Sequence, residues 1–482
     1  MFYAETLGFV ERLGPGAPSW CVLWTHIAGF GTRKPSREGS SFCSRIAINF
    51  PAMPENPYSS ASKKCDIVMK GGITSGIVYP RAVTRLAQEY RFQSIGGTSA
   101  GAIAAAITAA AEYRRSKGEI VFDQMNEIPD FLGAKSPTGD GSNLFHLFQP
   151  QKSMVGLFRI VAAFLAYSGW QRWWTLVREL WLDALIGALP GVAVLILLWP
   201  SHPLAAVLLC ILIAGIGKIL GAVAGVVVRA SRLPKNHFGL CPGYAEPQPG
   251  KPVTLIEWLN NRINSMAGHS PEKPLTFGDL SEAGVTLKMI STCLTMGHPS
   301  TLPFDGNEYY FLPDEMRLYF PKLVVDWMVA HQGAAAEYHE PVDTKGFVPL
   351  PSAEEMPVIV ATRMSLSFPV LFCAVPLYAI DWTRRRRTAD EPPATSRVPG
   401  DALNHDEPRR PEVVWFSDGG ITSNFPLHLF DSPLPRWPTF GLDLRDERPD
   451  HPDSHLWMPR ATGLTTFRPW CLGIATASST FI

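Results

Sequence analysis

Three stretches of this chain bring together residue types that could do chemistry. In "SIGGTSAGAIAAA" a short apolar run ends in glycines, and Ser99 stands between Gly97 and Gly101 before a run of small residues. The spacing G-x-S-x-G puts a serine on a sharp strand-to-helix corner, with glycine where a Cβ would clash. A helix starting at Ala100 aims its unpaired N–H groups at that serine and favours negative charge beside it. The bland alternative is a glycine-rich turn with Ser99 as an ordinary helix cap. "KGGITSG" (70–76) follows another apolar run, and main-chain N–H groups in such a loop suit an oxyanion hole, with Gly71 and Gly72 as the natural donors. A phosphate loop has no support, because no G-x-x-x-x-G-K-[ST] is present and G-x-G-x-x-G breaks at Ile73. In "FSDGG", Asp418 follows a third apolar run, and Gly419 and Gly420 permit close approach to the serine corner. An Asp-Gly pair is also a common turn former.

The elements that must position these residues are short apolar runs: "CDIVMKGG", "FQSIGG", "LKMIST" (287–292), "MPVIVAT" (356–362), "EVVWFSDGG" (412–420) and "TFGLDL" (439–444). Most lack a polar face, as strands buried on both sides do. Helical stretches at 77–90 and 100–115 alternate with them. The pattern predicts an α/β fold with a largely parallel sheet. In such sheets chemistry sits beyond the carboxyl ends of the strands, where these glycine motifs fall.

The three motifs, in this order, resemble the patatin-like phospholipases, whose sequences carry a glycine-rich oxyanion loop, a G-x-S-x-G nucleophile and a later D-G-[GA]. "ATRMSLSFPVLF" (361–372) and "DGGITSNFPLHLF" (418–430) are similar to that family's segments before and at the last motif. The likeness covers residues 65–130 and 250–445 and departs in the loop. Where the family usually reads G-G-G-x-[RK]-G, Ile73 replaces the third glycine and Ser75 the basic residue. The resemblance implies a three-layer α/β/α fold with a mainly parallel central sheet. It also implies a Ser99–Asp418 dyad acting on acyl esters of glycerophospholipids through an acyl-enzyme, with no cofactor or metal. Gly71, Gly72 and the Ala100 N–H would hold the oxyanion, Gly97 and Gly101 would shape the elbow, and Gly419 and Gly420 would complete the aspartate motif. Asp418 must then be partly desolvated, since a carboxyl titrating near 4 is a poor base. Two alternatives stay open. One is a catalytically impaired lipid-binding scaffold, which the altered loop favours. The other is an α/β-hydrolase triad completed by His428.

Between the first two runs and the rest lies an apolar insertion. Residues 184–199 contain no charge, and in 204–228 Lys218 is the only one. Each has about the length of a membrane span, roughly 20 residues, the first somewhat short. Arg172, Arg178, Arg229, Arg232 and Lys235 flank the pair, while the "SHP" connection carries no Lys or Arg. The positive-inside rule then puts both outer ends, and the catalytic domain, on the cytoplasmic side of a membrane, with Trp173, Trp174, Trp181 and Trp199 at the interfaces. A soluble helical hairpin packed as a lid is the alternative; Pro200 and Pro203 exclude a single long helix. The expected organisation is an N-terminal extension without fixed structure (1–60), a first catalytic part (61–150), an inserted membrane-associated hairpin (151–240), a second catalytic part (241–445) and a tail (446–482). Met53 is an alternative start, and the ending "TTFRPWCLGIATASSTFI" carries no terminus signal.

Bulk properties narrow the rest. The 482 residues are 46% hydrophobic with a formal net charge of zero, which argues against nucleic acid as the main partner; the resemblance and the apolar insertion imply membrane phospholipids instead. The eight cysteines are scattered, with no CxxC pair, and read as reduced thiols. "HPDSH" (451–455) is a poor metal site, because Pro452 spoils a helical i, i+4 pair. The run Arg384, Arg385, Arg386 and Arg387 could meet anionic headgroups, although such runs are usually solvated. Oligomeric state leaves no mark in the sequence.

Overall fold

The computed structural model describes residues 56–72, 75–136, 142–166, 169–270, 272–384, 407–444 and 480–481. The expectations for 1–55, for Ile73, for 385–387, for "HPDSH" and for most of the C-terminal tail lie outside the described residues.

The core is one mixed sheet. Its strands are β1 (Lys63–Met69), β2 (Tyr90–Thr98), β4 (Thr286–Cys293), β5 (His298–Leu302), β6 (Tyr310–Phe311), β7 (Val348–Pro349), β9 (Val375–Ile380), β10 (Pro411–Asp418), β11 (Thr439–Leu442) and β12 (Thr480–Phe481). Two short strands, β3 (Gly239–Cys241) and β8 (Val370–Phe372), pair separately. The order is β12-β11-β1-β2-β4-β10-β9-β6-β7, with β5 also on β4. From β12 to β4 all neighbours are parallel; from β4 to β7 they are antiparallel. The central strands are thus parallel as expected, and β1 and β2 reach full burial toward their carboxyl ends, as strands covered on both faces must.

Helices α1 (Ser75–Ala87), α2 (Ala100–Ser116), α3 (Val155–Ala166), α4 (Trp170–Leu198), α5 (Pro203–Ala230), α6 (Leu255–Ala267) and α7 (Val358–Ser365) flank the sheet or extend from it. α2 is buried along Ala102, Ala104, Ala105, Ala106, Ala109, Ala110 and Ala111. Its small side chains let it lie close against the sheet. One expected strand is corrected: "MPVIVAT" forms the start of α7, with Pro357 at its cap and all eight helical residues buried. A helix buried all round shows no apolar period, so a short β-branched run of this kind reads as a strand.

The apolar insertion forms an antiparallel pair, α4 and α5. It breaks at the expected prolines, with Pro203 opening α5. Small residues set its seam: a Cβ built on Gly187 would stand 2.0 Å from the Gly217 oxygen, and one on Gly221 2.2 Å from the Asp183 oxygen. Asp183 pairs with Arg229 at 2.8 Å, and Glu179 joins Arg159 of α3 at 3.2 Å. Both helices are long and apolar enough to cross a membrane, and only 11% and 6% of their most apolar windows are buried. The pair therefore packs on itself and on α3 rather than lying over the core as a lid.

Candidate active site

Ser99 sits between β2 and α2 with φ 56° and ψ −129°, a region that residues bearing a Cβ rarely occupy. Close main-chain packing holds it there. A Cβ on Gly97 would lie 2.3 Å from the Gly101 oxygen, and one on Gly101 2.3 Å from the Met69 oxygen. Gly97 thus packs on the backbone of Gly101, and Gly101 in turn rests on the end of β1. The Ser99 carbonyl accepts the Ala102 N–H at 2.9 Å, which starts α2, while the Ser99 N–H donates to Ser365 Oγ at 3.1 Å.

β4 lies between the strand that leads to Ser99 and the strand that ends in Asp418. In register, Thr98 is opposite Ile290 and Asp418 is opposite Ser291. The serine and the aspartate therefore emerge at one level on either side of β4. Two strand spacings, about 10 Å of backbone, separate their strands, and the side chains reach toward each other over β4. Gly419 is obligatory beside them, since a Cβ there would stand 1.9 Å from the Ile290 oxygen.

Asp418 is 3% exposed. Burial pushes its carboxyl up from 3.8 to about 6, against smaller downward pulls from the Ser99 hydroxyl and the Gly420 N–H. Oδ1 accepts the Gly420 N–H at 2.7 Å. Oδ2 is buried and closes no hydrogen bond. The Ser99 hydroxyl thus acts on the carboxyl without meeting full hydrogen-bond geometry, as is common in a substrate-free site. The backbone of Asp418 is tied at both ends: its N–H donates to the Ser367 carbonyl at 3.0 Å, and its carbonyl accepts the Thr292 hydroxyl at 2.8 Å.

The glycine loop meets the same corner. A Cβ on Gly71 would lie 3.0 Å from Ser99 Cβ and 2.3 Å from Asn424 Oδ1. Its N–H, however, donates to the Asn424 carbonyl at 2.9 Å. Its hydrogen is therefore engaged in this structure, and glycine is needed there for space. Gly72 and Ala100 make no such main-chain bond among the described residues. Lys70 anchors the loop through an ion pair with Asp443 at 2.8 Å.

His428 is exposed on the turn Leu427–Phe430, and among the described residues no hydrogen bond or ion pair joins it to Ser99 or Asp418. The structure thus gives the triad alternative no contact through its base among the described residues. Three residues escaped the sequence reading. Asn424, Ser365 and Ser367 hold the corner, and although they fall in segments noted for their resemblance, nothing in their spacing marked a role.

Residues 67–180 match the family described as Patatin-like phospholipase, a family of lipid acyl hydrolases. The matched region includes the glycine loop and Ser99 and ends before Asp418. A curated relative, "RpoH suppressor" of Rhizobium meliloti (strain 1021), is 39% identical over 432 residues, 80% of this chain. This chain spans 66% of that relative's length.

Proposed function

We propose that this protein, whose residues 67–180 match the patatin-like phospholipase family, is a membrane-associated serine hydrolase cleaving fatty acyl esters of glycerophospholipids. The observation that carries the reading is the common level of Ser99 and Asp418 on either side of β4. With its carboxyl raised to about 6, Asp418 is ionised at neutral pH yet basic enough to accept a proton. Ser99 Oγ attacks the ester carbonyl carbon while its proton passes to Oδ2, the carboxylate oxygen with no other partner. The Gly72 and Ala100 N–H groups face the oxyanion that forms. As the tetrahedral species collapses, the alcohol leaves with the proton from Asp418 and the acyl group stays on Ser99. Water, deprotonated by the same carboxylate, then releases the fatty acid and restores the serine. The scheme uses no cofactor.

Residues 61–150 and 241–445 form the catalytic unit in this reading, and 151–240 its membrane insertion. The outward faces of α4 and α5 are apolar, with Ile186, Leu197, Leu204 and Ile211 largely exposed. Trp170, Trp173, Trp174 and Trp181 stand near one end and Trp199 at the other, as at two membrane interfaces. The cations near the base keep the catalytic unit on the cytoplasmic side.

The second reading, an impaired lipid-binding scaffold, draws support from the Gly71 N–H being engaged by Asn424. Fatty-acid release from mixed phospholipid vesicles separates the two. Wild type should release fatty acid, and Ser99→Ala and Asp418→Asn should each lose on the order of 10³-fold or more. An active-site phosphonate should label wild type at Ser99. If wild type is folded and vesicle-bound but neither hydrolyses lipid nor takes the label, the scaffold reading replaces the hydrolase.

A further inference from the structure

The end of α7 touches both halves of the dyad. Ser365 Oγ accepts the Ser99 N–H at 3.1 Å and donates to the Ile290 carbonyl at 2.6 Å. Two residues on, the Ser367 carbonyl accepts the Asp418 N–H at 3.0 Å and the Ser417 hydroxyl at 2.8 Å. Ser365 and Ser367 are wholly buried, and so is Arg363. Arg363 donates to the Pro242 carbonyl at 2.9 and 3.2 Å, to the Cys373 carbonyl at 2.9 Å and to the Ser367 hydroxyl. The Ser367 hydroxyl in turn donates to the Arg363 carbonyl at 2.9 Å. A buried guanidinium is tolerated only when its donors are satisfied. Here they are spent on fixing one short segment against its surroundings.

The bond from Ser99 to Ser365 answers a specific need. The Ser99 N–H lies just beyond the last paired residue of β2 and ahead of the first bonded turn of α2. With φ positive, it needs a partner that neither regular element supplies, and burying it unpaired would be costly. Ser365 supplies that partner. Its hydroxyl is itself oriented by donation to Ile290, the residue opposite Thr98 on β4.

We propose that Ser365 is a positioning residue for the nucleophile, and that residues 363–367 act as one brace holding Ser99 and Asp418 at a common level. The kinetic consequence rests on the hydrolase reading; the brace itself is a statement about the Ser99 amide. Both are tested on the full chain. In wild type the Ser99 amide should be protected from hydrogen exchange, and in Ser365→Ala it should exchange at least about tenfold faster, while the Ile95 and Ala105 amides keep their protection. With a water-soluble ester, kcat should fall roughly 10- to 100-fold at nearly unchanged KM. The acid limb of the pH profile should move little, because burial, the largest influence on the Asp418 carboxyl, is untouched. If Ser365→Ala fails to fold, Ser365→Cys carries the same test, since a thiol keeps the bulk and is a weak acceptor.

An unchanged Ser99 amide overturns the brace, and so does a kcat within about twofold of wild type. Loss of protection at Ile95 and Ala105 along with Ser99 also overturns it, because that result is general loosening. A wild type that hydrolyses nothing but shows the selective change at Ser99 retains the brace and overturns the hydrolase reading instead.

Discussion

Glycine brings backbones together in two regions of this molecule, for opposite ends. At the corner, Gly97 faces Gly101 and Gly419 faces Ile290, and around them Ser291, Thr292, Ser365, Ser367 and Ser417 are buried and hydrogen-bonded. Along the hairpin, Gly187 faces Gly217, but the side chains that point away are Leu, Ile, Val and Trp, and most are exposed. The corner hides polarity from water and spends it on geometry. The hairpin hides almost nothing, which is a poor solution in water and a good one in hydrocarbon, where close van der Waals packing of small residues replaces hydrophobic burial. Two atoms break the rule at the corner: Thr98 Oγ1 and Asp418 Oδ2 are buried without a hydrogen bond. Native structures rarely leave such groups unsatisfied, and the second is the atom the proposed chemistry needs.

The comparison breaks most visibly if the two regions depend on each other. If the proposed function holds and the hairpin is the membrane anchor, deleting residues 184–228 should reduce fatty-acid release from vesicles on the order of 10³-fold. Hydrolysis of a water-soluble ester should change by less than about threefold, because the corner's contacts come from the sheet, α2 and α7. A deleted protein that still pellets with bilayers through carbonate washing would show that the hairpin is not the anchor.

The next effect belongs to the corner and runs against intuition. The folded pKa of Asp418 is about 6 against 3.8 for a free carboxyl. Between those values the folded protein holds a proton that the unfolded chain has lost, so stability falls as pH rises through that window. Above pH 6 the full cost is present, roughly 3 kcal/mol at 1.36 kcal/mol per unit. Asp418→Asn removes the charge and keeps an oxygen for the Gly420 N–H. It should therefore be inactive yet more stable than wild type by about 2–3 kcal/mol at pH 8, with the difference shrinking toward zero near pH 4. Reversible urea unfolding in detergent, followed by tryptophan fluorescence at the two pH values, measures it. Equal stability at pH 8 would mean that the carboxylate is better solvated than its 3% exposure implies.

These two regions were also unequally legible in the sequence. Ser99 and Asp418 stood out because glycine spacing is written locally, and β1, β2, β4, β10 and β11 stood out as apolar runs closing on those motifs. The fate of the Gly71 N–H was not legible, because it depends on Asn424 arriving from the far end of the chain. Ser365 carries no local mark either: a serine at the end of a fully buried helix looks like any small residue until Ser99 is seen above it. The hairpin was readable from its lack of charge, but its first turns were not. α4 begins at Trp170 and includes Arg172, Arg178, Glu179 and Asp183. Two of these, Glu179 and Asp183, pair with Arg159 and Arg229. Charge therefore ended the predicted span before it ended the helix.

The smallest effect sharpens the comparison within a single helix. Gly215 and Gly217 are two residues apart on α5. A Cβ at Gly215 meets nothing within 4 Å, whereas one at Gly217 would stand 1.9 Å from the Gly187 oxygen. Helix propensity treats the two alike: valine is a better helix former than glycine at either position. If the seam is real, Gly217→Val should push α4 and α5 apart and cost about 1–2 kcal/mol, the usual price of overpacking a tight contact. Gly215→Val should be neutral or slightly stabilising, its side chain facing the same surroundings as Ile211 and Ile219. Cysteine pairs across the seam, compared for crosslinking yield in the two variants, read the separation directly. Soluble-ester hydrolysis should not move in either variant, because no contact of the corner runs through this seam. A loss of equal size at both positions would mean that glycine serves α5 through its backbone rather than through approach to Gly187, and the parallel with Gly97 and Gly101 would fall.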